Sequence, residues 1–197
     1  MDRRVIAALL AVPLLVALVS LPFVHWETDF LSFYAGARLA GTSQLYSSNA
    51  VHEIQAGYER EPAQVRAYIR PAFYAVLLWP LGKLSYHAAA VVWQVRNVLG
   101  IGIFIWCWAR DRAAMIVLFM PLLIALVLGQ DVPILLAVFA DVVWLLRKNR
   151  LFLAGLLMAL CAVKFHLFLL LPLVIVAKRL WRFAGGLAVG GAALAVH

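Results

Sequence analysis

Groups of positively charged residues recur at one end of successive apolar stretches, and this pattern restricts the fold more than any other feature. The groups are Arg3 and Arg4; Arg110 and Arg112; Arg147, Lys148 and Arg150; and Lys178, Arg179 and Arg182. Lys and Arg accumulate in the short cytoplasmic loops of polytopic membrane proteins. Because 66% of the residues are hydrophobic and 13% are charged, little of the chain is left for a soluble module. The pattern predicts a multi-pass protein of a cell membrane, such as the bacterial inner membrane, with a cytoplasmic N-terminus.

The apolar stretches themselves predict an all-α polytopic membrane protein. A membrane helix needs about 20 apolar residues to cross a hydrocarbon core of about 30 Å. Two stretches reach this length and the others are shorter, and together they predict about six membrane helices plus a partial seventh. They cover residues 5–24, 87–109, 113–128, 132–146, 151–163 and 167–177, and a last stretch begins at 183.

Residues 1–197 are predicted to form a single membrane domain that contains one long polar segment. This segment, residues 25–86, is expected to be an extracytoplasmic loop with short interfacial helices over 28–39 and 49–60 and along 71–84. Trp79 and Tyr86 are expected at headgroup level. The last apolar stretch ends before it completes a convincing crossing, so we expect the domain to be incomplete at its C-terminus.

Several other functions are not expected from the residue types. The net charge of +8 is explained by membrane topology and by attraction to anionic lipid, so no nucleic-acid partner is expected. Cys107 and Cys161 both lie within apolar stretches, which makes a disulfide framework improbable. No spacing typical of a metal site and no glycine-rich nucleotide loop is present in the sequence, so neither metal nor cofactor is expected.

Asp29 is the candidate catalytic residue. It lies just after the outer end of the first apolar stretch, among aromatic residues, where a carboxylate can act as a general base on a hydroxyl. The alternative is that Asp29 only stabilises the N-terminus of a short helix through the helix dipole. Glu27 is the nearest competing carboxylate.

Three cations at the same membrane face are candidate phosphate ligands: Arg38, Arg70 and Lys164. The alternative for Arg38 and Arg70 is simple contact with lipid headgroups. Lys164 lies at the tip of a predicted hairpin whose arms are only about 17–20 Å long. An ionisable residue at such depth is a candidate functional residue by default. For Asp131, a plain turn before Pro133 is the preferred interpretation, and His166 alone could be a pocket histidine with a satisfied hydrogen bond.

Arg96 and Asp141 are predicted to form a structural ion pair. Each lies about 14 Å from the outer end of its predicted membrane helix. An unpaired charge near the middle of the membrane is costly, so we expect the two side chains to pair across two helices.

Several short motifs resemble one family when they are taken in order. They are DFLSFYAGAR (29–38) with LY (45–46), YIRPAFY (68–74), GQD (129–131), and AGL (154–156) with KFH (164–166). This order and spacing resembles the DUF2029 family, which is grouped with the family 87 glycosyltransferases of the GT-C superfamily. The resemblance covers nearly the whole chain.

The resemblance implies a GT-C-like fold and a mannosyltransferase-like activity on the extracytoplasmic side, with polyprenyl-phosphate mannose as sugar donor and an unidentified acceptor hydroxyl. It implies that Asp29 acts as the base, and that Arg38, Arg70 and Lys164 hold the phosphate. Tyr34, Gln130 and His166 belong to the same motifs and are expected to contribute to substrate binding. Inversion at the anomeric carbon is expected, without a metal or cofactor.

Two other classes of protein stay open at this point. A non-catalytic membrane protein that binds a lipid-linked sugar would keep the same pocket. A small transporter would also have an outer group of cations and a charge pair near the middle of the membrane.

Overall fold

The computed structural model of the protein describes residues 3–20, 28–58 and 67–195. All regular secondary structure in these ranges is helical, which confirms the all-α prediction. The eleven α-helices are α1 (Arg3–Ser20), α2 (Asp29–Leu39), α3 (Ser48–Ala56), α4 (Ala72–Gly82), α5 (Tyr86–Trp108), α6 (Ala113–Val117), α7 (Met120–Val127), α8 (Val132–Arg147), α9 (Leu151–Met158), α10 (Leu171–Ala177) and α11 (Trp181–Ala195), with 3₁₀ turns at Arg110–Arg112, Ala159–Val163 and Phe165–Phe168.

Helix α5 matches the prediction for residues 87–109 within one residue at each end. In the described part of the chain, it is the one helix long and apolar enough to cross a membrane. Helix α8 matches the predicted helix over 132–146 more closely still, with the same start and an end one residue later. The predicted end of segment 5–24 lies outside the described residues. The helix predicted over 49–60 is shorter than expected, because α3 ends at Ala56 and Gly57 follows it. The number of membrane crossings and their direction stay predictions.

The stretch over residues 113–128 was predicted as one helix, and this prediction was wrong. The chain forms α6 and α7, with a break at Leu118 and Phe119. Pro121 lies in the first turn of α7. Proline has no N–H to donate to the preceding turn, and it disfavours helical geometry in the residue before it, so it fits a helix start and not a helix interior.

The chain divides into two compact units, residues 1–134 and 135–197, and the division falls within α8. In the first unit α2 packs on α3, α4 and α5, while α1 packs on α5, α6 and α7. An apolar core that includes Ile101, Ile105, Val117 and Leu126 joins α5, α6 and α7.

Helix α2 is buried on all sides. Its residues from Phe30 to Ala37 are buried without interruption, whereas we expected an interfacial helix with one apolar face. Thr28 precedes the helix as predicted, but its side chain makes no capping hydrogen bond.

Tyr86, the first residue of α5, is also buried, at 2% exposure, and it stacks on Tyr58 with ring centroids 4.6 Å apart. Tyr86 is thus enclosed by α2 and the Tyr58 ring, while its position at headgroup level stays a prediction.

The second unit depends on close packing of α9 against α11. Gly186 lies where an added Cβ would overlap the carbonyl oxygen of Phe152, and Gly155 faces Phe183 in the same way. Small residues allow membrane helices to approach this closely, and the many van der Waals contacts that result stabilise the packing of α9 on α11.

Gly186→Val is therefore expected to destabilise the protein by about 3 kcal/mol or more, since overpacking a close contact forces the backbones apart. Gly185→Val is the matched control, because an added Cβ at Gly185 meets open space. The measurement is the thermal unfolding midpoint of both variants in the same detergent. Equal midpoints would show that the α9–α11 contact is not a main source of stability.

Candidate functional site

The loop at residues 129–131 is held in place by polar side chains of α5. The indole Nε1 of Trp93 donates to the Gly129 carbonyl at 2.8 Å. The Asn97 amide donates to the Gln130 carbonyl at 2.9 Å. Gly129 has a φ of +65°, a conformation that glycine adopts without strain. Two side chains of α5 and the backbone conformation of Gly129 thus fix the direction in which the loop leaves α7.

The same loop adjoins the start of α2. The Asp29 backbone N–H donates to the Leu128 carbonyl at 3.0 Å. An added Cβ at Gly129 would lie 2.8 Å from the Cβ of Phe30. Asp29 is the first residue of α2 and is partly buried, a position that suits both proposed roles. Its role as a base stays a prediction. Glu27 lies outside the described residues.

Asp131 is fully buried, and its Oδ2 lies 3.6 Å from Nη2 of Arg70, which is 18% exposed. The interpretation of Asp131 as a plain turn residue is therefore wrong. A buried carboxylate needs a charged or hydrogen-bonding partner, and Arg70 supplies one from the segment before α4. The guanidinium of Arg70 also lies 5.4 Å from the centre of the Phe33 ring of α2.

Tyr74 and Arg96 complete what we call the buried polar cluster: Arg70, Tyr74, Arg96 and Asp131. Burial raises the pKa of the Tyr74 hydroxyl and the negative charge of Asp131 adds to the effect, while Arg96 and Arg70 oppose it. Tyr74 therefore stays a neutral hydrogen-bonding group. Arg96 stacks on the Trp93 ring, with its guanidinium carbon 3.8 Å from the ring centre. Two guanidinium groups and one carboxylate give the cluster a net positive charge.

Arg38 lies at the opposite end of α2 from Asp29, about 14 Å away along the helix axis. Its Nη1 donates to the Tyr34 hydroxyl at 3.3 Å, and that hydroxyl donates to the Leu84 carbonyl at 2.9 Å. The Tyr34 hydroxyl thus helps to hold the guanidinium of Arg38 in position. Arg38 lines a cavity with Lys83 and Trp79. Arg38 therefore contacts Tyr34 and lines this cavity, whereas Arg70 contacts Asp131 and Phe33.

Lys164, His166 and Asp141 belong to the second unit. Lys164 is partly buried between two 3₁₀ turns. His166 is exposed, with its ring edge-on to that of Phe165 at 6.0 Å. Asp141 is exposed on α8. The pairing of Arg96 with Asp141, and a shared phosphate site that includes Lys164, stay predictions.

A family model described as "Glycosyltransferase family 87" matches residues 68–197, which is well over half of the chain. The chain belongs to glycosyltransferase family 87. Comparisons with curated proteins and with solved structures gave no match. The family predicted from the motifs is thus confirmed, and the chain is a glycosyltransferase by family. Members of this family are generally membrane proteins.

The match to family 87 divides the candidate residues. Arg70, Gln130, Lys164 and His166 lie within the matched residues 68–197. The candidates on α2, namely Asp29, Tyr34 and Arg38, precede the match. The proposed role of Asp29 as the base therefore rests on its position at the start of α2 and on the motif at 29–38, and not on the family match.

Sequence reasoning on this family 87 chain missed two polar residues, Tyr74 and Lys83, and it also missed that Asp131 is buried. One signal was available for the cluster. Trp93, Gln94 and Asn97 form a polar stripe on one face of the otherwise apolar α5, and such a stripe indicates a face turned towards buried backbone groups. Nothing in the sequence pointed to Lys83, since its neighbour Arg38 is distant along the chain.

Proposed function

We propose that the protein transfers a sugar, mannose being the best candidate, from a polyprenyl-phosphate donor to an acceptor hydroxyl on the extracytoplasmic side of the membrane. The observation that carries this proposal is the match to family 87 over residues 68–197. Support for a phosphate-linked donor comes from the excess of guanidinium and ammonium groups around α2 over the carboxylates among the same residues. Cations of this kind bind phosphate oxygens well.

In the proposed reaction the acceptor oxygen attacks the anomeric carbon on the face opposite the phosphate. A bond forms between that carbon and the acceptor oxygen, the bond to the phosphate oxygen breaks, and the configuration inverts. The bonding electrons leave with the polyprenyl phosphate. Arg38, Arg70 and Lys164 are proposed to stabilise the negative charge on the phosphate. Gln130 and His166 are proposed to contact the substrate, and the buried Tyr34 contributes through its hydrogen bond with Arg38. The acceptor proton passes to the carboxylate of Asp29.

Polyprenyl phosphate is already a good leaving group, so the reaction needs no strong general acid. The requirements are a base near the acceptor and a fixed positive field near the donor. Asp131 supports the second requirement, because its contact with Arg70 holds that guanidinium against α2. Groups oriented before the reaction stabilise developing charge without reorganisation.

The membrane arrangement belongs to the same proposal. We propose a GT-C-like arrangement of six membrane helices with a partial seventh, with the N-terminus in the cytoplasm and residues 25–86 outside. The donor lipid would then reach the site from the outer leaflet, and its phosphate would remain at headgroup depth.

A second candidate is a non-catalytic membrane protein that binds a lipid-linked sugar. It is favoured by one observation, that Asp29 precedes the residues matched by the family model. Such a protein would bind the donor with the same cations and would release no sugar.

The two candidates are separated by a transfer assay. Membranes that contain the protein are incubated with radiolabelled polyprenyl-phosphate mannose, and the label is followed from donor to acceptor fraction. Transfer above that of membranes lacking the protein supports the glycosyltransferase. Retention of the label on the donor, together with saturable donor binding, supports the binding protein.

A further inference from the structure

A small polar cavity lies between the C-terminal ends of α2 and α4. Its volume is about 290 Å³, and it is lined by Ala37, Arg38, Trp79, Gly82 and Lys83. The two helices meet closely here, because an added Cβ at Gly82 would lie 2.7 Å from the backbone of Ala37. This contact brings two cations together that are far apart along the chain.

Neither cation is neutralised by a carboxylate within the described parts of the chain. Arg38 donates one hydrogen bond, to the Tyr34 hydroxyl, and a guanidinium has five N–H donors. The Lys83 ammonium lies 4.6 Å from the centre of the Trp79 ring. This cation–π contact holds the ammonium in place and leaves its N–H groups free to donate.

Helix dipoles explain part of this charge arrangement but not all of it. The C-terminus of a helix carries about half a negative charge, so the ends of α2 and α4 together offset about one of the two positive charges. The cavity keeps a net positive charge and is lined by groups that donate to oxygen. Arg70, by contrast, already has Asp131 as a partner.

We infer that this cavity binds a phosphate group carried by a membrane lipid, with Arg38 and Lys83 as its ligands and Trp79 at its rim. The side chain of Trp79 is 48% exposed, as expected for a tryptophan at headgroup level. The volume suits a headgroup and excludes a whole lipid. The phosphate could belong to the polyprenyl donor, which rests on the proposed function, or to a resident phospholipid.

The first experiment measures equilibrium binding of radiolabelled polyprenyl phosphate to the purified protein in phosphatidylcholine nanodiscs. Arg38→Gln and Lys83→Gln are each expected to weaken binding about tenfold, since a hydrogen bond to a charged group contributes at least about 1.5 kcal/mol. Lys83→Arg should retain most of the affinity. The matched controls are Arg112→Gln and Lys178→Gln, both at exposed positions, and they should bind as the wild type does.

Competition identifies the source of the phosphate. If phosphatidylglycerol at equal density leaves polyprenyl phosphate binding unchanged, the cavity is a donor site. If it competes with polyprenyl phosphate for binding to the wild type, the cavity is a general phospholipid site. Inorganic phosphate that competes equally well would show that the lipid chain adds nothing, and the inference of a lipid ligand would be overturned.

The inference is also overturned if both glutamine variants fold and bind polyprenyl phosphate as the wild type does. Folding is checked by the thermal unfolding midpoint of each variant. Binding that depends on Arg38 and Lys83 without any sugar transfer would leave the cavity assignment intact and would contradict the proposed function alone.

Discussion

Asp29→Asn is expected to reduce sugar transfer by about 10²- to 10⁴-fold, the usual contribution of a general base. The amide is nearly the same size as the carboxylate but cannot accept the acceptor proton. The fold should be kept, because the charge of a residue in the first helical turn contributes only about 0.3–1 kcal/mol. The measurement is the initial rate of mannose transfer in membranes with matched amounts of protein.

Glu53→Gln is the matched control for this substitution. Glu53 is exposed on α3 in the same unit, and its change also replaces one carboxylate with an amide. We expect it to leave the transfer rate unchanged. A fully active Asp29→Asn variant would show that Asp29 only stabilises the start of α2, and Glu27 would be the next carboxylate to test.

Asp131→Ala is expected to destabilise the protein by about 3–5 kcal/mol, the usual cost of removing one partner of a buried ion pair. The carboxylate is fully buried beside Arg70. Asp131 and Arg96 both act on the hydroxyl of Tyr74. Loss of the Asp131 carboxylate removes a negative charge beside the guanidinium groups of Arg70 and Arg96. The measurement is the free energy of unfolding by denaturant in a fixed detergent.

Two further variants make the Asp131 result specific. Replacing both partners, as Arg70→Met with Asp131→Leu, should recover much of the stability, since an apolar pair of similar volume carries no uncompensated charge. Glu53→Gln, at an exposed position, is again the control and should change stability by less than about 0.5 kcal/mol. An Asp131→Ala variant as stable as this control would contradict a buried ion pair.

The helices themselves were largely predictable. The start of α2 after Thr28 and its end before Gly41 follow from residues that favour helix ends, and the structure has Asp29–Leu39. Helix α5 follows from apolar length alone. The break between α6 and α7 is marked by Pro121, but the apolar composition continues across it and by itself predicts one helix.

The candidate site was predictable only in its residue types. The sequence indicated an acidic residue and several cations at one membrane face, and the family model confirms the family to which those motifs pointed. Which cation meets which partner could not be predicted. Arg70 with Asp131, and Arg38 with Lys83, depend on how α2, α4 and α5 pack.

The sequence by itself determined the all-helical class, the ends of α2 and α5, and the family. These properties depend on local features, namely apolar length, residues that start or end helices, and the order of short motifs. Only the tertiary structure decided that α2 is buried on all sides, that Asp131 is a buried partner of Arg70, and that Lys83 joins Arg38 at a cavity. The reason is that burial and charge pairing are set by contacts between residues far apart along the chain, and no short-range pattern records those contacts.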